Sequence, residues 1–177
     1  MKNAKRKSGR SRVPRVSREG QGDIRASGGA ASLCRLLEQA ATAALAAERV
    51  KVARLDIAVI DAAEMKRQHK QWMGDGSVTD VLTFDLRDRP RGAIEGQILV
   101  CQAVAKMRAG PRGDWRRELA LYVVHGCLHL CGYDDHAARD FAKMHAREDE
   151  ILATLGMGRV FAEGPASHPK AKSPREH

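Results

Sequence analysis

The sequence predicts an α+β fold in which helices cover a small mixed β-sheet and a central helix binds a metal ion. Two observations support this prediction. Segments with the alternating pattern of strands are interspersed with segments of helical period, and the apolar stretch that begins at Leu119 carries two histidines four residues apart. A chain of 177 residues is long enough to bury the core of one such domain. Layers of helix on sheet are the expected way to bury both kinds of apolar face.

The first predicted elements are a helix, a strand and a second helix. Apolar residues recur every three or four positions from 30 to 50, which predicts an amphipathic helix. Between residues 51 and 60, Leu55, Ile57 and Val59 alternate with other residues, which predicts a strand. The carboxylate of Asp61 can then cap a helix over residues 62–72.

The second half of the chain continues this pattern up to the histidine helix. The elements expected in order are a turn at 74–77, a strand at 80–86, a loop at 88–92, a strand at 94–101 and a short helix at 102–108. Asp114 can cap the long helix that carries Glu118, His125 and His129. A last helix is expected over about 137–155.

The two histidines are the strongest chemical signal in the chain. Four residues advance a helix by about 400°, so His125 and His129 share one face with Cβ atoms roughly 5–6 Å apart. Two imidazoles at that distance can bind one metal ion. Gly132 can adopt the positive φ that ends a helix, so Asp135 or His136 can return to supply a third ligand. The pattern predicts a zinc centre with three protein ligands and one open position.

The other potential ligands have simpler interpretations. Cys127 and Cys131 each follow a histidine by two residues, or roughly 200° of helix, so we expect both to face away as small buried side chains. The four cysteines have irregular spacing, and we expect them to be reduced. His69 and His145 have no liganding neighbour at helical spacing, and we expect both at the surface.

The net charge of +9 is concentrated at the chain ends. Residues 1–25 contain 9 Lys/Arg and 2 Asp/Glu, whereas residues 26–158 contain 18 of each. We therefore predict a disordered basic arm at 1–28, a folded domain at 29–157 and a disordered tail at 158–177. The arm is either a solvated tail or a non-specific contact to phosphates whose affinity falls with salt.

The sequence also indicates where the protein works. No apolar run approaches the roughly 18 residues of a membrane span, and no N-terminal secretion signal is visible. We expect a cytoplasmic protein that does not bind membranes.

The histidine run resembles a known family signature. Residues 125–136, HGCLHLCGYDDH, are similar to the HGxLHLxGYDH signature of the YbeY family of metal-dependent endoribonucleases. Residues 79–84, TDVLTF, resemble the family's TDVLSF region, and residues 95–100 occupy the place of its GDI-type strand. The resemblance covers roughly residues 30–157. The strand that usually comes first in the family is expected around residues 23–26 in this chain.

The resemblance implies a function and a set of site residues. It implies a single-strand-specific, zinc-dependent endoribonuclease that acts at the 3′ end of 16S rRNA and in ribosome quality control. One Zn²⁺ per chain is expected, with an rRNA precursor and the ribosome or its small subunit as partners and no nucleotide cofactor. Thr79 and Asp80 are implied to line the substrate cleft. The family's third histidine position falls on Asp135, one residue before His136.

Two further positions depart from the family pattern. An arginine that often precedes the TDVLSF region is Met73 here, and the GDI aspartate is Gln97. The roles that those two side chains play in the family are not expected in this chain.

The chemistry of such a site suits phosphodiester cleavage. A zinc ion with one open position lowers the pKa of bound water to about 7 and polarises a phosphoryl oxygen. With His125 as a catalytic metal ligand, Asp134 is a candidate general base, as is whichever of Asp135 and His136 does not bind the metal.

Two other functions are compatible with the histidine pattern. A metzincin-like zinc protease shares the spacing, but its first histidine is followed by the glutamate that acts as general base. Gly126 takes that position here. The other alternative is a non-catalytic, ribosome-associated protein in which zinc is structural.

Overall fold

The computed structural model describes residues 22–89 and 92–158. In chain order the elements are β1 (Asp23–Ser27), α1 (Ala31–Ala47), β2 (Val52–Ile60), α2 (Ala62–Met73), β3 (Val81–Asp85), β4 (Ile94–Cys101), α3 (Gln102–Ala109), α4 (Trp115–Leu130) and α5 (Ala138–Thr154). The predicted arm up to residue 21 and the tail from residue 159 lie outside the described residues, and their disorder stays a prediction.

The strands form one mixed sheet in the order β1-β2-β4-β3. Strands β1, β2 and β4 are parallel, and β3 is antiparallel to β4 at one edge. Parallel neighbours need a long connection, and α1 supplies it between β1 and β2. The predicted α+β class with a small mixed sheet is confirmed.

Strand β1 corrects the predicted start of the folded domain. Residues 23–27 were assigned to the basic arm, but they pair in parallel with β2, with Ile24 opposite Leu55. The Ala26 amide also donates to Glu38 Oε1 on α1, at 3.0 Å. The local strand signal is weak because Ile24 is the single β-branched residue of the segment DIRAS, and the strand is stabilised by pairing with β2. The expected first strand around residues 23–26 is confirmed.

The two faces of the sheet bury different sets of side chains. The larger core lies between the sheet and helices α1, α4 and α5, and it includes Leu37, Leu55, Ile98, Leu128 and Leu152, all fully buried. A smaller cluster of Met65, Leu82, Leu99 and Cys101 brings α2 onto the opposite face. Ile98 and Leu99 belong to different clusters because successive side chains of a strand point to opposite faces.

The predicted helix caps and free thiols are confirmed. Asp61 accepts from the Glu64 amide at 2.8 Å, and Asp114 accepts from the Arg116 amide at 3.0 Å. All four cysteines are free. Cys127 is buried in the larger core, and the half-buried Cys131 packs against that core. Both positions are expected for thiols that face away from the histidines.

Two glycines allow α4 to approach the sheet closely. A Cβ atom at Gly126 would lie 2.7 Å from Thr83 Oγ1 and 3.0 Å from Ile98 Cδ1. A Cβ atom at Gly96 would lie 2.9 Å from the Phe84 carbonyl oxygen and 3.0 Å from Leu130 Cδ1. The helix that carries the histidines is therefore seated directly on β3 and β4.

We expect Gly96→Ala to lower the free energy of unfolding by about 1–3 kcal/mol, because the added methyl group overpacks a backbone contact. Gly76→Ala is the matched control, since the atom nearest to a Cβ there is Lys66 Cε, 4.0 Å away. Denaturant unfolding of both variants measures the difference. Equal stability of the two variants would show that α4 is not tightly seated at Gly96.

Within the described residues, no helix has the length and apolar character needed to cross a membrane.

Candidate metal centre

Helix α4 places the two histidine side chains side by side. The Nε2 atoms of His125 and His129 are 3.0 Å apart. Their ring centroids are 4.5 Å apart, and the ring planes are nearly perpendicular. The four-residue spacing therefore produces the expected shared face of the helix.

The other ring nitrogen of each histidine has a defined acceptor. His125 Nδ1 donates to Glu148 Oε1 at 2.8 Å, and His129 Nδ1 donates to the Tyr133 carbonyl oxygen at 3.0 Å. A carboxylate and a carbonyl only accept, so the protons are assigned to both Nδ1 atoms. The neutral rings then direct two Nε2 lone pairs at each other. Two lone pairs at this distance repel each other, and a metal ion that bound both Nε2 atoms would relieve that repulsion, so the arrangement fits a metal site.

Asp135 completes a group that could hold a metal ion. Gly132 has a φ of 92° just after α4, and the chain turns back there. Asp135 Oδ2 lies 4.0 Å from His125 Nε2, and the candidate ligand atoms of His125, His129 and Asp135 all lie within 4.8 Å of one another. The structure thus brings Asp135 to the histidine pair.

His136 and Asp134 lie further out in the same loop. The His136 side chain is 88% exposed, and its Nδ1 forms a short contact with Asp134 Oδ1. Asp134, Asp135 and His136 form a second group that could hold a cation, but it is more exposed and contains neither histidine of α4. The sequence left Asp135 and His136 as alternative third ligands, and the structure places Asp135 beside His125 and His129.

The pKa values of the site reflect burial and neighbouring charges. Burial lowers the pKa of His125, but the hydrogen bond and charge of Glu148 outweigh it and the net shift is upward. Burial and the charge of His125 lower the pKa of His129. Burial raises the pKa of Glu148, yet hydrogen bonds from His125 and His145 outweigh it and the net shift is downward. Glu148 is therefore a carboxylate at neutral pH.

Glu148 was missed by the sequence analysis, and the expectation for His145 was wrong. Glu148 is fully buried and accepts from His145 Nδ1 at 2.6 Å as well as from His125. The His145 side chain is only 16% exposed, and its ring packs edge-on against Phe141. A signal for Glu148 did exist, because it lies on the buried stripe of α5 with Met144, Ile151 and Leu152. A carboxylate on an apolar face indicates a buried polar partner.

The predicted substrate residues lie at the start of β3. The Asp80 carboxylate accepts from Thr79 Oγ1 at 3.1 Å and from the Val81 amide at 2.9 Å. The Asp80 charge makes a small contribution to the raised pKa of His125, after those of Glu148 and Asp135. Met73 ends α2 and is 67% exposed, and Gln97 lies within β4 opposite Phe84.

Two facing imidazoles on a helix that crosses a mixed sheet, with a carboxylate from the loop that follows the helix, fit the site of a metal-dependent hydrolase. The model of the family described as endoribonuclease YbeY matches residues 23–156. The chain therefore belongs to the YbeY family of metal-dependent endoribonucleases. The match includes β1, which lies outside the 30–157 range of the predicted resemblance.

Two relatives carry the family's name, and a solved structure has a similar fold. The Roseiflexus sp. endoribonuclease YbeY is 38% identical over 135 residues, which cover 70% of this chain and 84% of the relative. The Moorella thermoacetica endoribonuclease YbeY is 36% identical, with coverages of 70% and 86%. The solution structure of TM1509 from Thermotoga maritima matches with a TM-score of 0.55 and 26% identity, covering 75% of this chain and 91% of that one.

Proposed function

We propose that this protein is a single-strand-specific, zinc-dependent endoribonuclease that acts in rRNA maturation, at the 3′ end of 16S rRNA, and in ribosome quality control. The observation that carries the proposal is the pair of facing Nε2 atoms of His125 and His129 with Asp135 beside them. Family membership supports RNA as the substrate. The proposed partners are an rRNA precursor and the ribosome or its small subunit, in the cytoplasm.

The proposed metal ligands are His125, His129 and Asp135. Two imidazoles and a carboxylate suit Zn²⁺, and three protein ligands leave a position open for chemistry. Bound zinc would supply an acidic water and polarise a phosphoryl oxygen. Glu148 and the Tyr133 carbonyl hold the two rings so that each Nε2 faces the centre.

Asp134 is the proposed general base. An aspartate is ionised at neutral pH and can accept a proton, although the hydrogen bond from His136 lowers the pKa of Asp134 and so makes it a weaker base. His136 in turn holds the Asp134 carboxylate in the exposed loop next to Asp135. Thr79 and Asp80 are proposed to contact the substrate from the start of β3.

Two features of the site disfavour the other candidate functions. The side-chain position of Gly126 faces Thr83 and Ile98 of the sheet, so the general-base glutamate of a metzincin-like protease has no counterpart or space there. A structural zinc site is closed by four protein ligands. The candidate group here has three members, and Asp135 is 34% exposed, which favours a site open to substrate.

The choice of third ligand gives a direct test. We expect Asp135→Ala to lower zinc affinity by more than about tenfold, because it removes a group within ligand distance of both histidines. We expect His136→Ala to leave zinc affinity nearly unchanged, because that ring is turned toward solvent. Zinc titration of both variants measures the difference. If His136→Ala is the variant that loses zinc, the ligand assignment is wrong.

The proposed activity is tested by cleavage of single-stranded and double-stranded RNA of the same sequence. The full-length protein should cleave the single strand, lose activity with a chelator and regain it when zinc is restored. RNA binding without metal-dependent cleavage would instead support the non-catalytic, ribosome-associated protein.

A further inference from the structure

Four exposed cations cluster where α3 leads into α4. They are Lys106, Arg108, Arg112 and Arg116, and together they are called the basic patch. Residues 106–117 contain five Lys/Arg and only one acidic residue, Asp114, although residues 26–158 contain equal numbers of each sign. The folded domain is neutral as a whole but strongly positive at this end.

Trp115 holds cations of two helices together. Lys106 Nζ from α3 lies 5.2 Å from the Trp115 ring centroid, and Arg116 Cζ from α4 lies 5.4 Å from it. Cation–π contacts of this kind are worth about 0.5–1 kcal/mol at exposed sites. The nearby Asp114 carboxylate accepts from the Arg116 amide and caps α4. The contacts stabilise a concentration of positive charge that repels itself unless an anion binds.

The basic patch lies at the start of α4, and the histidines of the candidate metal centre lie near its end. A helix rises 1.5 Å per residue, so Trp115 is about 15 Å along the axis from His125.

We infer that the basic patch binds the phosphodiester backbone of the single-stranded RNA that is cleaved at the metal centre. The inference rests on the proposed function. Four exposed cations spread over two helices and the loop between them match a polyanion better than a single small anion. The Trp115 ring is half-buried and occupied by Lys106 and Arg116, so the patch offers charge to the backbone and no free aromatic face to the bases. Binding there should be independent of base sequence.

The test compares two full-length variants with equal loss of charge. The patch variant carries Lys106→Gln, Arg108→Gln and Arg112→Gln, and the control variant carries Arg35→Gln, Lys66→Gln and Lys70→Gln at exposed positions on α1 and α2. Arg116 is retained so that the Trp115 ring keeps one of its two cation–π contacts. Thermal unfolding verifies that both variants fold like the unmodified protein.

Binding of a labelled single-stranded RNA to the zinc-loaded proteins is measured across a salt series, with recovery of intact RNA verified. Each lost phosphate contact lowers the log–log salt slope by roughly 0.7, so the patch variant should lose about 2 units of slope. We expect the control variant to keep the slope of the unmodified protein. Single-turnover cleavage at saturating RNA should be unchanged in the control variant, whose substitutions lie outside the basic patch.

Three outcomes would overturn the inference. Equal salt slopes of RNA binding in the patch and control variants would show that the position of the removed charges does not matter. Displacement of the RNA by polyglutamate at equal charge concentration would assign the patch to an acidic protein partner. If the unmodified protein neither binds nor cleaves single-stranded RNA, the proposed function is wrong as well. If it cleaves RNA but the patch and control variants have equal salt slopes, only the inference about the basic patch is wrong.

Discussion

Replacing His129 with alanine is expected to abolish stoichiometric zinc binding and RNA cleavage while the protein stays folded. Loss of a residue that forms a hydrogen bond with a metal ligand lowers metal affinity by about 10–100-fold. Loss of the ligand itself should therefore lower zinc affinity by more than about 100-fold. His125→Ala should have the same effect on zinc and cleavage. It should also lower stability by about 1–3 kcal/mol, because it leaves the fully buried Glu148 with one hydrogen bond fewer.

Metal content, thermal unfolding and RNA cleavage measured on the same preparations test this expectation. His69→Ala is the matched control, because that histidine lies on α2 and contacts Ser77 rather than the metal centre. Full zinc occupancy in either the His125 or the His129 variant would contradict the proposed site.

Glu148→Gln is expected to weaken zinc binding by about 10–100-fold without unfolding the protein. Glutamine has nearly the same shape as glutamate, but it has only one acceptor oxygen where Glu148 receives hydrogen bonds from both His125 and His145. One imidazole therefore loses its partner and the orientation of its ring. Zinc titration is the measurement, and cleavage should recover at high zinc concentration.

Two further variants separate positioning from folding. Glu148→Ala removes the buried charge partner altogether and should cost about 3–5 kcal/mol of stability. Glu150→Gln changes an exposed carboxylate on the same helix that bonds Arg147, and it should leave zinc affinity unchanged. Unaltered zinc affinity in Glu148→Gln would show that Glu148 is only a structural residue.

Much of this protein was predictable from short-range patterns. The shared face of His125 and His129 follows from the helical period alone, and the caps at Asp61 and Asp114 follow from the preference of carboxylates for the first amides of a helix. The strand at 94–101 and the free cysteines were also predicted correctly. In each case the residues that determine the feature lie within a few positions of one another.

Other features depended on contacts between distant segments. Strand β1 forms because β2 and Glu38 supply hydrogen-bond partners, and nothing within its own five residues requires a strand. Glu148 reaches His125 only because α5 packs on α4, which also buries His145. The position of Asp135 beside His125, with His136 turned to solvent, depends on the path of the chain after Gly132. Local periodicity determined which residues share a helix face, and tertiary packing decided which groups of different elements meet at the metal centre, because those distances depend on how the elements pack.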